Sequence, residues 1–221
     1  MKVLILHPSS RYDRYLPDIP AAGRMELVFT DREGPEERWL AAGGDAEALV
    51  AAPVTPVTEE LIARMPHLKL IHSDGVGYDR IDLAAARERG IPLSNVPTYG
   101  TASVSQFSIA LLLEICHHIG HHDETVKAGK WERCADWCYW DYPLIELDGK
   151  TAGIIGFGRI GQTTGRIAKA LGMKVLAYDL YPNDSGKAIA EYVDFDTLLA
   201  QSDVVFLHCN LTPENEKMIN K

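Results

Sequence analysis

The residues best suited to chemistry are the glycines and the carboxylate of one short stretch. Gly156-Phe157-Gly158-Arg159-Ile160-Gly161 has the spacing GxGxxG, and Asp179 ends the next apolar run. Glycine-rich hexamers are common, so the pattern gains meaning from its setting. It follows an apolar strand, opens a helix, and is succeeded by an acidic residue at a strand end. Gly156 permits a tight strand-to-helix turn, Gly158 lets a pyrophosphate approach the backbone, and Gly161 lets the helix pack on the sheet. The N–H groups of Arg159 and Ile160 then face the phosphates, helped by the helix dipole. Asp179 would accept hydrogen bonds from an adenosine ribose and repel a 2′-phosphate. The residues after it, Leu180-Tyr181-Pro182-Asn183, include no arginine to hold such a phosphate, so NAD is expected rather than NADP. A methyl donor or a flavin nucleotide on a similar half-fold is another reading. So is a glycine turn that binds nothing.

Other groups have chemical potential. His117, His118, His121 and His122 make two i, i+4 pairs on the end of an expected helix, a spacing that lets imidazoles share a metal. Asp123, Cys134 and Cys138 would be further donors. A solvated helix terminus accounts for the same residues, because histidines suit the negative end of the dipole, and no metal is expected. His72 and His208 sit at strand ends, with hydrogen-bonded structural histidines as the plainer reading. The aromatic stretch Trp131 to Tyr142 reads either as a contact with a partner subunit or as a cap on the molecule's own core.

These groups need elements to position them. Apolar strand-like runs alternate with helical patterns, which marks an α/β protein with a mostly parallel sheet. Strands are expected at Val3–Leu6, Leu27–Phe29, Ala48–Ala51, Leu68–Ile71 and Ile91–Leu93, with helices at Pro35–Ala42, Thr58–Arg64 and Ile81–Arg89. Gly90 serves as a helix stop. A long helix, Ser103–His118, has apolar residues on more than one face and is expected to be buried on several sides, between domains or subunits. Beyond it come a strand at Thr151–Ile155, a helix at Arg159–Leu171, a strand at Lys174–Tyr178, a short helix at Phe195–Ala200 and a strand at Asp203–His208. Asn210-Leu211-Thr212-Pro213 is expected to turn into a further helix.

The chain has 221 residues, 46% hydrophobic and 24% charged, with a formal net charge of −9. That length can bury a sizeable core. The acidic balance argues against a nucleic-acid partner or an anionic membrane surface. No apolar run approaches the roughly 18 residues a spanning helix needs. The first residues, Met1 to Pro8, are too soon broken for a signal peptide. The four cysteines lack a secreted disulfide spacing, and a cytoplasmic location with reduced thiols is expected.

Several runs resemble the D-isomer-specific 2-hydroxyacid dehydrogenases over nearly the whole chain. Asp74-Gly75-Val76-Gly77-Tyr78-Asp79-Arg80-Ile81-Asp82 is similar to the family's substrate loop. Gly90 to Pro97 is similar to its crossing into the cofactor domain. Leu207-His208-Cys209-Asn210-Leu211-Thr212-Pro213-Glu214 is similar to a family stretch reading HCPLTPE, with Asn210 in place of a proline. Thr98 to His118 and Trp140 to Leu147 most resemble the family's glycerate dehydrogenase (hydroxypyruvate reductase) branch. Val104-Ser105-Gln106 departs from the common Val-Ala-Glu.

The resemblance implies a flavodoxin-like substrate-binding domain over residues 1–98 and the first half of a Rossmann NAD-binding domain over 99–221. It implies that the N–H groups of Val76 and Gly77 bind the substrate carboxylate, in keeping with the way glycine-flanked turns cradle anions. Ala52 and Pro53, at an earlier strand end, would line the same cleft. Arg159, Ile160, Asp179 and Thr212 would touch NAD, with Cys209 beside it. The partners implied are a small 2-keto or 2-hydroxy acid and a second copy of the chain, joined as a homodimer through residues 101–145.

Reduction of a 2-keto acid also needs its carbonyl polarised and protonated. In the family an arginine holds the substrate and a histidine paired with a glutamate supplies the proton, and the resemblance places all three beyond Lys221, leaving no catalytic residue to assign here. The strand Thr151–Ile155 is expected at the centre of a sheet whose next strand is missing, which would leave an apolar edge open. An incomplete copy of a longer enzyme is therefore expected. Two functions remain open: an NAD-dependent dehydrogenase interconverting hydroxypyruvate and D-glycerate, and a noncatalytic NAD-binding module or inactive fragment.

Overall fold

The structure is a computed structural model that describes residues 1–19 and 22–220. The chain forms two compact units, Met1–Tyr99 and Gly100–Lys221. In the first, strands β1 (Lys2–Ile5), β2 (Glu26–Phe29), β3 (Ala48–Ala51), β4 (Leu70–Ser73) and β5 (Leu93–Ser94) are joined by helices. These are α1 (Glu36–Gly43) between β2 and β3, α2 (Glu59–Ala63) between β3 and β4, and α3 (Leu83–Glu88) before β5. All strand pairs are parallel, in the order β2-β1-β3-β4-β5, which is the flavodoxin-like order. Leu4, Leu49 and Ile71 of the sheet pack with Trp39, Leu61, Ile62 and Met65 of the helical layer, all at most 2% exposed.

Local chemistry sets the helix ends. Thr58 Oγ1 accepts from Leu61 N–H at 3.1 Å to start α2, and Asp82 Oδ1 accepts from Ala85 N–H at 2.9 Å to start α3. Gly90, at φ +66°, takes the left-handed turn that follows α3. Strands β4 and β5 begin two residues later than the apolar runs suggest. Leu68 and Ile91 are buried, but their N–H groups bond back to Met65 and Ala86 in turns leading into the strands.

The second unit opens with α4 (Thr101–His117) and α5 (Ile119–Lys127), followed by an irregular stretch. Then come β6 (Thr151–Ile155), α6 (Arg159–Ala170), β7 (Lys174–Tyr178), α7 (Asp184–Lys187), β8 (Glu191–Tyr192), α8 (Phe195–Gln201) and β9 (Val204–Leu207). The four strands are parallel in the order β8-β7-β6-β9. This is Rossmann topology, with Ile154, Phe157 and Ala168 packed on Ile109 and Leu112 of α4 in the core.

Four expectations are corrected and one is refined. First, β6 is not left open: β7 and β9 flank it, because the short β8 takes the third place and α8 carries the chain back to β6's other side. Second, the long helix does not run through the histidines. His118 adopts a left-handed conformation (φ 50°, ψ 46°) that ends α4 and begins α5, so the four histidines span a helix junction. No group of His, Cys, Asp and Glu suited to a metal forms among the described residues. Third, as a refinement, α4 buries one face within this chain, and its other apolar residues are the ones a neighbouring domain or subunit would have to cover. Ser105, Ile109, Leu112 and Cys116 are buried, while Val104, Phe107, Leu111 and Ile115 are exposed. Fourth, Trp131, Trp137, Trp140 and Tyr142 are exposed rather than capping the core. Fifth, the described residues after Pro213 form turns instead of a helix, and Asn215 Oδ1 takes the Thr212 N–H at 2.8 Å. No single helix among the described residues is long and apolar enough to cross a membrane.

Ile154 lies at 0% exposure on the central strand. Ile154→Ala should therefore lower unfolding free energy by about 2–5 kcal/mol in urea titrations. A loss below about 1 kcal/mol would contradict this packing.

Candidate functional site

In the second unit, β7 and β9 lie on opposite sides of β6, so the strand order switches there, and folds of this kind bind ligands outside the carboxyl ends of the strands at such a point. The glycine loop lies there. Gly156 has φ +88°, and a Cβ on it would lie 2.4 Å from Cys209 N and 2.5 Å from the His208 carbonyl carbon. A Cβ on Gly161 would lie 2.3 Å from the Gly156 carbonyl oxygen, so helix and loop approach closely. A Cβ on Gly158 would meet nothing within 4 Å, leaving open space in front of that residue. Gly158 is the N-cap of α6 and contributes no side-chain hydrogen bond. The N–H groups of Arg159 and Ile160, in the helix's first turn, have no intrahelical acceptor. Open space and free donors at a helix N-terminus fit the pyrophosphate of a dinucleotide.

Asp179 follows β7 and turns back to this loop. Its Oδ2 accepts from Phe157 N–H at 2.6 Å and its Oδ1 from Tyr181 N–H at 2.8 Å. Each oxygen has further lone-pair capacity, so a ribose hydroxyl can still donate to the carboxylate. Cys209 and Thr212 lie on the exposed stretch after β9, and Asn215 Nδ2 donates to Asn210 O at 2.7 Å to hold that turn.

Two polar residues missed in the sequence support the loop. Gln162, 9% exposed, donates through Nε2 to Phe157 O at 3.0 Å and to Asn183 Oδ1 at 3.2 Å. It thereby ties the glycine loop to the turn after Asp179. Ser105, fully buried, shares its hydroxyl between Thr101 O at 2.8 Å and Ile160 O at 3.1 Å. The unusual Val104-Ser105-Gln106 thus has a structural consequence: α4 is pinned to the first turn of α6. The signal for both was a polar residue at a buried helix position, which demands a partner. His208 stacks on Phe206 and meets Thr164 Oγ1 at 3.0 Å.

In the first unit, the loop after β4 is held by its carbonyls. Val96 N–H donates to Gly75 O at 2.9 Å, Asn95 Nδ2 to Val76 O at 2.8 Å, and Ser73 Oγ to Gly77 O at 2.6 Å. The N–H groups of Val76 and Gly77 donate to no acceptor among the described residues. Pro53, just after β3 and the buried Ala52, packs beneath: a Cβ on Gly75 would lie 2.4 Å from Pro53 Cγ. The structure thus brings Ala52, Pro53, Val76 and Gly77 to one end of the sheet, with two free donors suited to an anion. His72 meets Ser94 Oγ at 2.8 Å instead.

A glycine loop at the switch point of a parallel sheet, with a carboxylate after the second strand, defines a dinucleotide-binding domain. Comparison with known proteins narrows the class. Residues 109–221 match the family described as D-isomer specific 2-hydroxyacid dehydrogenase, NAD binding domain. The chain is 57% identical over 199 residues to a hydroxypyruvate reductase of Blautia hydrogenotrophica, covering 89% of this chain and 62% of that protein. It is 38% identical over 164 residues to a glycerate dehydrogenase of Methylorubrum extorquens, covering 74% of this chain and 50% of the relative. A D-lactate dehydrogenase from Aquifex aeolicus, solved with NAD and lactic acid, superposes with a TM-score of 0.79 at 31% identity, covering 100% of this chain and 64% of the other. The chain belongs to the D-isomer-specific 2-hydroxyacid dehydrogenase family and carries its NAD-binding domain.

Burial lowers the ionisation of both His7, 2% exposed, and His208 below the ordinary value of 6.5. A proton that the unfolded chain accepts near pH 6.5 is thus refused by the folded chain until lower pH. The stability contribution is complete above that value and is lost as pH falls below it. The melting temperature should drop between about pH 7 and pH 5, and His208→Asn should flatten part of that drop. An identical pH profile in the variant would contradict the assignment.

Proposed function

We propose that this protein reduces a short 2-keto acid to the D-2-hydroxy acid with NADH, and that hydroxypyruvate and D-glycerate are the physiological pair. The observation that carries the proposal is the glycine cradle with its free N–H groups and adjoining carboxylate, in a chain 57% identical to a hydroxypyruvate reductase. The chain spans 62% of that relative's length, so the whole protein's activity is inferred here rather than read from this chain.

When bound, NADH supplies the hydride that reduces the carbonyl carbon. The chain's own groups bind and orient. The first-turn N–H groups of α6, with Gly156, Gly158 and Gly161, hold the pyrophosphate. Asp179 takes the ribose hydroxyls and disfavours a 2′-phosphate by charge repulsion. Cys209 and Thr212 border the cofactor. Val76 and Gly77 N–H groups hold the substrate carboxylate, with Ala52 and Pro53 beside them. The substrate-binding domain is assigned to residues 1–98 and the cofactor domain to 99–221. The resemblance places the substrate-holding arginine and the proton-supplying Glu–His pair in the part of the family this chain does not span.

The protein is proposed to work in the cytoplasm as a homodimer through residues 101–145. In support, Val104, Phe107, Leu111 and Ile115 form an exposed apolar stripe on α4, and Trp137 and Trp140 are 82% and 67% exposed. Apolar patches of this extent mark association surfaces.

Two measurements test the reading. With the full-length protein, which would carry the arginine and the Glu–His pair, NADH absorbance should fall on mixing with hydroxypyruvate, more slowly with glyoxylate or pyruvate. No loss with any of the three removes the dehydrogenase assignment. Phe107→Asp should weaken self-association by about tenfold or more in sedimentation analysis. An unchanged sedimentation profile would contradict the dimer surface.

A further inference from the structure

Three residues of the first unit converge where β1, β3 and β4 end. His7 lies two residues past the end of β1 and is 2% exposed. Tyr12 follows a single helical turn, with its N–H bonded to Ser9 O at 2.7 Å. Its ring lies against Phe29 at 5.8 Å and edge-on to His7 at 6.0 Å. Asp74 is the first residue after β4, and its N–H donates to Ala51 O at 3.0 Å. The Tyr12 hydroxyl donates to Asp74 Oδ2 at 2.8 Å, and His7 Nε2 lies 3.1 Å from the same oxygen.

We propose that Tyr12 and Asp74 are positioning residues, with His7 packed against the Tyr12 ring: they lock the Asp74–Gly77 loop to the segment after β1 and so set how tightly its free N–H groups take a 2-keto acid's carboxylate. The inference rests on the substrate reading of that loop given above.

The geometry supports it in two ways. Gly75, Val76 and Gly77 are tied through their carbonyls to residues 73, 95 and 96, all on the far side of β4 from β1 or on β4 itself. Asp74 is the loop residue tied to the other side, by its N–H to β3 and by its side chain to Tyr12, while His7 Nε2 lies close to the same carboxylate oxygen without a hydrogen bond. Without the side-chain link, the loop loses its anchor to the segment after β1. The second argument is electrostatic. A carboxylate two residues before an anion cradle weakens that cradle by like-charge repulsion. A charge-assisted hydrogen bond from Tyr12 tempers the charge. Burial first, then Asp74, raise the ionisation of Tyr12 well above its ordinary value, so its hydroxyl stays a donor. Burial keeps His7 neutral more firmly than Asp74 promotes its charge, and the nearby Arg11 and Arg32 act in the same direction as burial.

Tyr12→Phe tests this while keeping the ring packed on Phe29; Asp74→Asn serves as a second variant. Amide hydrogen exchange by mass spectrometry on the chain should show residues 74–78 exchanging about tenfold faster in Tyr12→Phe, with β3 and β4 unchanged. In steady-state assays of the full-length protein carrying the same substitution, KM for hydroxypyruvate should rise about tenfold, with kcat within about twofold and NADH affinity unchanged. Unchanged exchange in the loop, an unchanged KM, or a loss confined to kcat each overturns the proposal. If the parent protein reduces no 2-keto acid, the substrate reading falls, and the exchange result alone still decides whether the cluster anchors the loop.

Discussion

At the mouth of the β6–β9 pair, the Cys209 backbone occupies the space that any side chain on residue 156 would need. That contact forces glycine at 156 and the left-handed turn it makes there at φ +88°. The turn in turn directs the chain into α6, with its unpaired N–H groups at the carboxyl end of the sheet. Gly161 repeats the constraint one turn on, because its α-carbon rides over the Gly156 carbonyl. Phe157, between them, sends its ring into the core at 0% exposure and its N–H to Asp179. Glycine loop, helix and Asp179 carboxylate are thus linked by close backbone contacts and one hydrogen bond, and cannot shift independently.

The first unit solves a similar problem by different means. Its loop after β4 also presents N–H groups, but three donors draw the carbonyls of Gly75, Val76 and Gly77 the other way. Pro53 fills the space under Gly75, so the loop has a floor from β3 as well as ties from β4 and the residues beyond β5. Both units therefore place donors at the carboxyl end of a parallel sheet, next to a switch in strand order, where such folds bind ligands. The side chains doing this work are few and mostly short, and the sheet supplies their precision.

Much of this was legible because its causes are local. Thr151–Ile155 and Lys174–Tyr178 emerge as strands with the expected bounds, since an apolar run between a turn and a glycine loop admits little else. The glycine spacing and Asp179 carry their meaning in the chain itself. What escaped was short or long-range. β8 is two residues and α7 four, below any periodic signal. That β9 pairs with β6 depends on the crossing of α8, which no local pattern reveals. The break at His118 is a left-handed non-glycine residue, a conformation residue type alone does not announce. Gln162, Ser105, His7 and Tyr12 matter through partners far away in sequence, as at Tyr12 and Asp74, and pairing of that kind is invisible until the sheet is assembled.

The central claim is that the Gly156–Gly161 cradle and Asp179 form one site selective for NAD. Calorimetric titration of the protein and of Asp179→Ala with NADH and with NADPH tests it most directly. The parent chain should bind NADH at least about tenfold more tightly than NADPH, and Asp179→Ala should close most of that gap. Equal affinity of the parent chain for the two, or an Asp179→Ala variant that keeps the full preference, would contradict the account.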